Sequence, residues 1–149
     1  MGFFDGYNIA TSGMSAQRER INVVSSNIAN AQTTHSKDGG PYRKQNVVFE
    51  EVLLESAKKT DASGNEKIDP LAVKGVGVRE ITESNKEPIL KYDPTHPDAN
   101  ENGYVAFPDI NPVIEMVDLI EAMRSYEANV SAFKTQKNMD TQTLDIIKM

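Results

Sequence analysis

The chain has 149 residues and a formal charge of −6, with an isoelectric point near 4.9. That balance excludes nucleic acid as the main partner, because no basic stripe is available to displace counterions from phosphates. The absence of cysteine excludes disulfides, Cys-ligated zinc and a thiol nucleophile. Hydrophobic residues make up 38%, below the roughly 45–50% of ordinary domains, so part of the burial is expected to come from neighbouring subunits.

The first predicted element is a helix from about Asp5 to Ala31. Tyr7, Ala10, Met14, Gln17, Ile21, Val24, Ile28 and Ala31 recur at steps of three and four, a single stripe interrupted only by Gln17. Asn22, Asn27 and Asn30 are poor interior helix formers. Their reading as water-facing residues competes with a reading as register-setting hydrogen bonders to neighbouring helices, and the second is preferred. Gln32-Thr33-Thr34 ends the helix.

Residues 36–110 change character, holding six of the seven prolines and six of the nine glycines. Val47-Val48-Phe49 begins a β-like run within Tyr42 to Leu54, although Phe49 to Lys59 is compatible with helix. Val73 to Ile81 and Ile89 to Tyr92 are strand candidates. The polar stretch from Lys58 to Asp69, centred on Ser63-Gly64-Asn65, reads as a flexible loop or hairpin tip.

The last element is the clearest. Asn111 is a good N-cap, Pro112 suits the first helical position and Glu115 suits the positive helix end. Met116, Leu119, Met123, Tyr126, Val130 and Phe133 keep a seven-residue rhythm that Leu144 and Ile147 resume, with Val113, Val117 and Ile120 widening the stripe. No run approaches the roughly 18 to 20 apolar residues that cross a bilayer, so membrane insertion is not expected. Met1 to Gly6 lacks the basic region and apolar run of a cleaved signal peptide, which by itself reads as cytosolic.

The fold class is therefore mainly α with a small β-rich middle. Long terminal helices over 1–35 and 111–149 pair as a coiled-coil-like core, and the middle, 36–110, projects as strands and loops with a flexible stretch near 58–69. Isolated helices are marginal in water, so each needs the other, and two helices alone still leave apolar surface for further subunits. A monomeric α+β domain closed by its terminal helices remains the alternative on periodicity alone.

Chemical motifs are weak. Asp98-Ala99-Asn100-Glu101-Asn102-Gly103 matches the opening of an EF-hand loop, but Asp109 stands where glutamate belongs and Pro94, Pro97 and Pro108 break the flanks. An Asx-rich turn is the better reading. Ser56 to Lys59 and Ser131 to Lys134 lack the companion motifs of penicillin-recognising enzymes. His35 and His96 form no metal-ligand spacing, and Gly75-Val76-Gly77 lacks the third glycine of a dinucleotide loop and reads as a bulge or close approach in a strand. No catalytic constellation, metal site or cofactor is expected. A small helix-capped binding module remains the competing class.

The segment Ser26-Asn27-Ile28-Ala29-Asn30-Ala31 resembles the N-terminal signature of the flagellar rod and hook axial family. Where that family commonly continues Asn-Thr and then Pro-Gly-Tyr, this chain has Gln32-Thr33-Thr34 and later Gly39-Gly40-Pro41-Tyr42-Arg43-Lys44. That departure resembles the proximal-rod type, as do Tyr92-Asp93-Pro94-Thr95-His96-Pro97-Asp98, Asn102-Gly103-Tyr104-Val105, Asn111 to Val117 and Arg124 to Val130. The resemblance covers nearly the whole chain outside Lys58 to Asp69. It implies a structural, non-enzymatic rod subunit of the basal body, part of the drive shaft needed for motility, that leaves the cytoplasm through the flagellar type III export apparatus without a cleaved signal. Implied partners are copies of itself and other rod and hook-basal-body proteins. The expected assembly interface is Ile21, Val24, Asn27, Ile28 and Asn30 on the first helix. On the last it is Met116, Leu119, Met123, Tyr126, Val130, Phe133, Leu144 and Ile147.

Overall fold

The computed structural model describes residues 5–36, 39–53, 58–60, 66–68 and 73–147. Helix α1 spans Asp5–Ala29 and helix α2 spans Pro112–Ile147, 25 and 36 residues long. Among the described residues six strands lie between them: β1 Gln45–Leu53, β2 Lys58–Thr60, β3 Glu66–Ile68, β4 Lys74–Glu83, β5 Ile89–Tyr92 and β6 Tyr104–Phe107. Among the described residues they make three two-stranded ribbons, β1 with β4, β2 with β3 and β5 with β6.

Local chemistry sets the helix ends. Asn111 caps α2 as the sequence requires: its Oδ1 accepts the Val113 N–H at 3.0 Å and its carbonyl accepts the Glu115 N–H at 3.1 Å. At the other boundary, α1 stops where Asn30 turns its side chain back on its own helix. Asn30 Nδ2 donates to the Ser26 carbonyl at 2.9 Å, and its Oδ1 accepts Thr33 Oγ1 at 3.1 Å.

The middle is β throughout its described elements. β1 continues through Leu53, so Phe49 to Leu53 is strand rather than the helix the sequence also allowed, and residues 54–57 lie outside the described part. The stretch read as a flexible loop or hairpin tip holds an antiparallel strand pair, with Lys58 paired to Ile68 and Thr60 to Glu66, while 61–65 and Asp69 lie outside the described residues. β6 was not anticipated. It pairs antiparallel with β5, Ile89 opposite Phe107 and Tyr92 opposite Tyr104.

The chain forms two compact units, to both of which α1, α2, β1 and β4 contribute. The first combines Met1–Glu19, Phe49–Arg79 and Ala122–Met149. Here the Tyr7 ring meets Phe133 edge-on at 4.9 Å and its hydroxyl donates to Asp140 Oδ2. That hydrogen bond, followed by desolvation and the Asp140 charge, holds the Tyr7 phenol above its ordinary pKa. The Val76 N–H donates to Ser12 Oγ at 3.3 Å, tying β4 to α1. A Cβ placed on Gly77 would lie 2.6 Å from Val52 Cγ2, so the glycine marks a close approach between β4 and β1.

The second unit combines Arg20–Val48 and Glu80–Glu121. It holds the β5–β6 ribbon, where Tyr92 and Tyr104 stack edge-on at 5.3 Å and Val105 is fully buried. The connecting residues 93–103 are fastened from within. Asn100 Oδ1 accepts the N–H groups of Asn102 and Tyr104, and Gly103 takes a φ of 77° that a side chain would strain.

Among the described residues the buried apolar side chains are small or medium in size: Ala10, Ala16, Val23, Val24, Val105, Ile110 and Ala122. Small residues on α1 let its partner come close. A Cβ on Gly13 would sit 2.8 Å from Asn129 Nδ2, and one on Gly6 would sit 3.3 Å from Gln136 Oε1.

Gly13 gives a direct test of that close approach. At an open helical position glycine to alanine stabilises by about 1 kcal/mol. In urea melts Gly13→Ala should fall short of that gain, because the Asn129 amide must move aside, whereas Gly13→Ala with Asn129→Ala should recover it. A full gain in the single variant would show that the seam has slack.

Candidate assembly surface and its buried polar anchor

Among the described residues the largest fully buried side chains are Glu115, Val105 and Asn27, so two of these three are polar. Asn27 is 1% exposed and uses its whole amide. Its Nδ2 donates to the Gln45 carbonyl at 2.8 Å and to Glu115 Oε2 at 3.1 Å. Its Oδ1 accepts the Gln45 N–H at 2.9 Å and the Tyr42 hydroxyl at 3.2 Å. Lys44 Nζ completes the cluster with a salt bridge to Glu115 Oε1 at 2.5 Å. One asparagine thereby joins the end of α1, the entry of β1 and the first turn of α2. A buried carboxylate is tolerated because it is both hydrogen-bonded and paired. It also sits in the first turn of α2, where the helix dipole favours negative charge.

The rest of the inward seam of α2 is also more polar than periodicity suggests. Ala122 is fully buried. One and two heptads further on, Asn129 and Gln136 face the glycines of α1, and Gln136 Nε2 donates to Asp140 at 3.2 Å. Arg20 reaches Asp118 at 3.8 Å and Glu121 at 3.7 Å, loose pairs of small energetic weight.

The thirteen residues expected at the interface divide by burial. Val24 and Asn27 are buried. Ile21, Ile28, Asn30, Leu119, Tyr126, Val130 and Phe133 are half-buried, whereas Met116, Met123, Leu144 and Ile147 are exposed. Exposed beside them lie Val113, Ile114, Val117, Ile120 and Ile146. Of the three asparagines, Asn27 bonds α2 and β1, Asn30 bonds its own helix end, and Asn22 is exposed. Sequence reasoning gave no role to Gln45, and named Tyr42 and Lys44 only within the family-like motif, without the contacts they make to Asn27 and Glu115.

The EF-hand-like segment has other employment. Asp98 Oδ2 accepts Thr34 Oγ1 at 2.6 Å, Asn100 Oδ1 faces backbone amides, and Asp109 pairs with Lys86 at 3.1 Å. This is the Asx-rich turn that the prolines favour. His96 Nδ1 accepts the Asp98 N–H, and its ring lies 6.2 Å from Phe107. No cluster of three potential metal ligands occurs among the described residues, and none of their helices is long and apolar enough to cross a membrane. Ser56 lies outside the described residues, and Ser131 stands exposed on α2.

Two family models match the two helical regions. The one described as Flagella basal body rod protein covers residues 8–34, and the one described as Flagellar basal body rod FlgEFG protein C-terminal covers residues 101–146. The chain is 42% identical to the flagellar basal-body rod protein FlgC of Borreliella burgdorferi, over 99% of each chain. It is also 42% identical to FlgC of Bacillus subtilis, over 99% of this chain and all of that one, and 38% identical to FlgC of Salmonella typhimurium over 98% of each. The chain belongs to the FlgC family of basal-body rod proteins. As a member of the FlgC family it is a structural subunit of the flagellar basal-body rod and not an enzyme.

Removing the central amide should act on folding first. Asn27→Ala strands the Gln45 backbone groups and part of Glu115, so a loss of about 2 to 3 kcal/mol is expected in equilibrium unfolding. An unchanged unfolding midpoint would refute the anchor. Asp93 supplies a pH readout. Hydrogen bonds from the Thr95 hydroxyl and N–H hold its carboxyl below the ordinary 3.8. The turn's contribution is therefore present above pH about 4 and lost as pH falls through the lowered value. A carboxyl NMR titration in Thr95→Ala should return Asp93 upward, and an unmoved value would contradict the assignment.

Proposed function

We propose that this rod subunit polymerises through its terminal helices, paired as a coiled-coil-like core, and so forms part of the drive shaft that crosses the periplasm. The observation that carries this reading is the apolar row left exposed on the first turns of α2. Its covered side holds Glu115, Asn129 and Gln136 beside Leu119, Ala122, Tyr126, Val130 and Phe133, while Val113, Ile114, Met116, Val117, Ile120 and Met123 are exposed. A helix with both a covered side and a second apolar row in the open is not finished by its own chain. Exposed apolar area of this kind marks a surface made for partners.

The expected interface then splits into two roles. Ile21, Val24, Asn27, Ile28, Asn30, Leu119, Tyr126 and Phe133 hold the helix pair in register. Met116, Met123, Val130, Leu144 and Ile147 meet neighbouring subunits. Residues 1–35 and 111–149 form the axial core, and 36–110 adds contacts at larger radius. A head-to-tail contact that does not close generates a helical assembly. The neighbours are copies of this chain and other rod and hook-basal-body proteins. The chain reaches them through the flagellar type III export apparatus, the route implied for its relatives by the family resemblance.

The outward row can be tested without touching the inward seam. Met116→Asp with Ile120→Asp should leave circular dichroism of the isolated protein unchanged, because both side chains are exposed. The same variant should be missing from isolated basal bodies, and its cells should not swim. Full motility with normal incorporation would sink the reading. Phe133→Asp, by contrast, should cost fold stability as well, since Phe133 packs on Tyr7.

A further inference from the structure

The turn between β5 and β6 contains the one Asn–Gly pair of the sequence, Asn102-Gly103. Such a pair is chemically labile, because glycine leaves its own amide nitrogen unshielded by a side chain. Once that nitrogen has given its proton to a base in solvent, it can attack the side-chain carbonyl carbon of the asparagine. A five-membered succinimide closes as the bond from Cγ to Nδ2 breaks and ammonia leaves. Water then opens the ring at either carbonyl, giving aspartate or isoaspartate. No oxidant or reductant takes part.

Glycine is required at this position. Gly103 has a φ of 77°, and a Cβ there would lie 3.0 Å from Tyr92 Cε2 and 3.2 Å from Pro94 Cβ. The fold therefore imposes the labile pair, and the same fold restrains its nucleophile. The Gly103 N–H donates to the Asn100 carbonyl at 2.9 Å, closing a β-turn, and the Gly103 carbonyl accepts the Asp93 N–H at 2.9 Å. Asn100 Oδ1 accepts the Asn102 N–H at 3.0 Å and the Tyr104 N–H at 2.9 Å. A bonded N–H resists losing its proton, and the ring cannot close until the turn opens. Asn102 itself is exposed, so water reaches its side chain.

We propose that Asn102 is a deamidation site gated by folding, reactive in the unfolded chain and protected by the closed turn. Isoaspartate routes the main chain through the former side chain and adds a methylene between Glu101 and Gly103. The hydrogen bonds across the turn have no room for that length. A subunit that lingers before folding thus loses the connection that sets β5 against β6. The aspartate product keeps the backbone and adds one negative charge beside Asp93, Asp98 and Glu101. This inference is independent of the rod reading above.

The test holds the full chain in mildly alkaline buffer, folded or in guanidinium chloride, and follows Asn102 by peptide-mapping mass spectrometry. Conversion should be about tenfold or more slower in the folded chain, a factor set by how seldom the turn opens. Asn100→Ala removes the acceptor of two amides and should speed conversion in the folded chain about three- to tenfold, leaving the denatured rate unchanged. The isoaspartyl form, separated by ion exchange, should unfold at lower denaturant than Asn102→Asp, because only the former lengthens the main chain. Equal rates in folded and denatured wild type, or no conversion in either, would overturn the proposal. That comparison decides even where Asn100→Ala does not fold, and a folded Asn100→Ala with an unchanged rate would overturn the gating by the turn.

Discussion

The structure depends on one buried amide. Asn27 satisfies two donors and two acceptors at once, and its partners belong to β1, α2 and the segment that leads into β1. A hydrophobic contact at this point would tolerate rotation and sliding, whereas four directed hydrogen bonds do not. Glu115 gains most from the arrangement. A carboxylate 1% exposed survives only with Lys44 and Asn27 in place, so the three side chains stand or fall together. With an apolar core made of alanines and a few branched residues, this polar cluster carries specificity that a larger protein would draw from packing.

That dependence explains why α2 is turned as it is. Ala122, Asn129 and Gln136 continue the line of Glu115 at heptad spacing, and glycines on α1 leave room for the longer amides. Close backbone approach and hydrogen bonding decide which side of the helix faces in. A second set, Val113, Ile114, Met116, Val117, Ile120 and Met123, is left on the outside, the surface proposed above for assembly.

Much of this was legible from local chemistry. The N-cap at Asn111, the end of α1 (expected at Ala31, found at Ala29) and the strands expected from Val73 and Ile89 follow from capping, turn and alternation rules that act over a few residues. The orientation of α2 did not follow. Met116, Leu119, Met123, Tyr126, Val130 and Phe133 repeat with the right period, but a period gives a line on a helix and not its neighbour. Leu119 and Phe133 turned out covered while Met116 and Met123 did not. Asn27 was conspicuous as a poor helix former, yet its partners Gln45 and Glu115 lie 18 and 88 positions away, beyond any local rule. β6 escaped notice because four residues after a long Asx-rich turn carry too little alternation to stand out.

The same separations have a consequence in time. The hydrogen bond from Asn27 spans 88 positions and that from Tyr7 to Asp140 spans 133. Contacts of such range form late, because the entropy of closing a long loop must be met before they contribute. Until Glu115 has been synthesised the carboxylate that Asn27 and Lys44 require does not exist, and until Asp140 has been added Tyr7 has no acceptor there. A ribosome-bound fragment carries an α1 with neither seam nor anchor, and a lone helix of that length is marginal in water. Completion of the last helix therefore supplies the last of these long-range contacts.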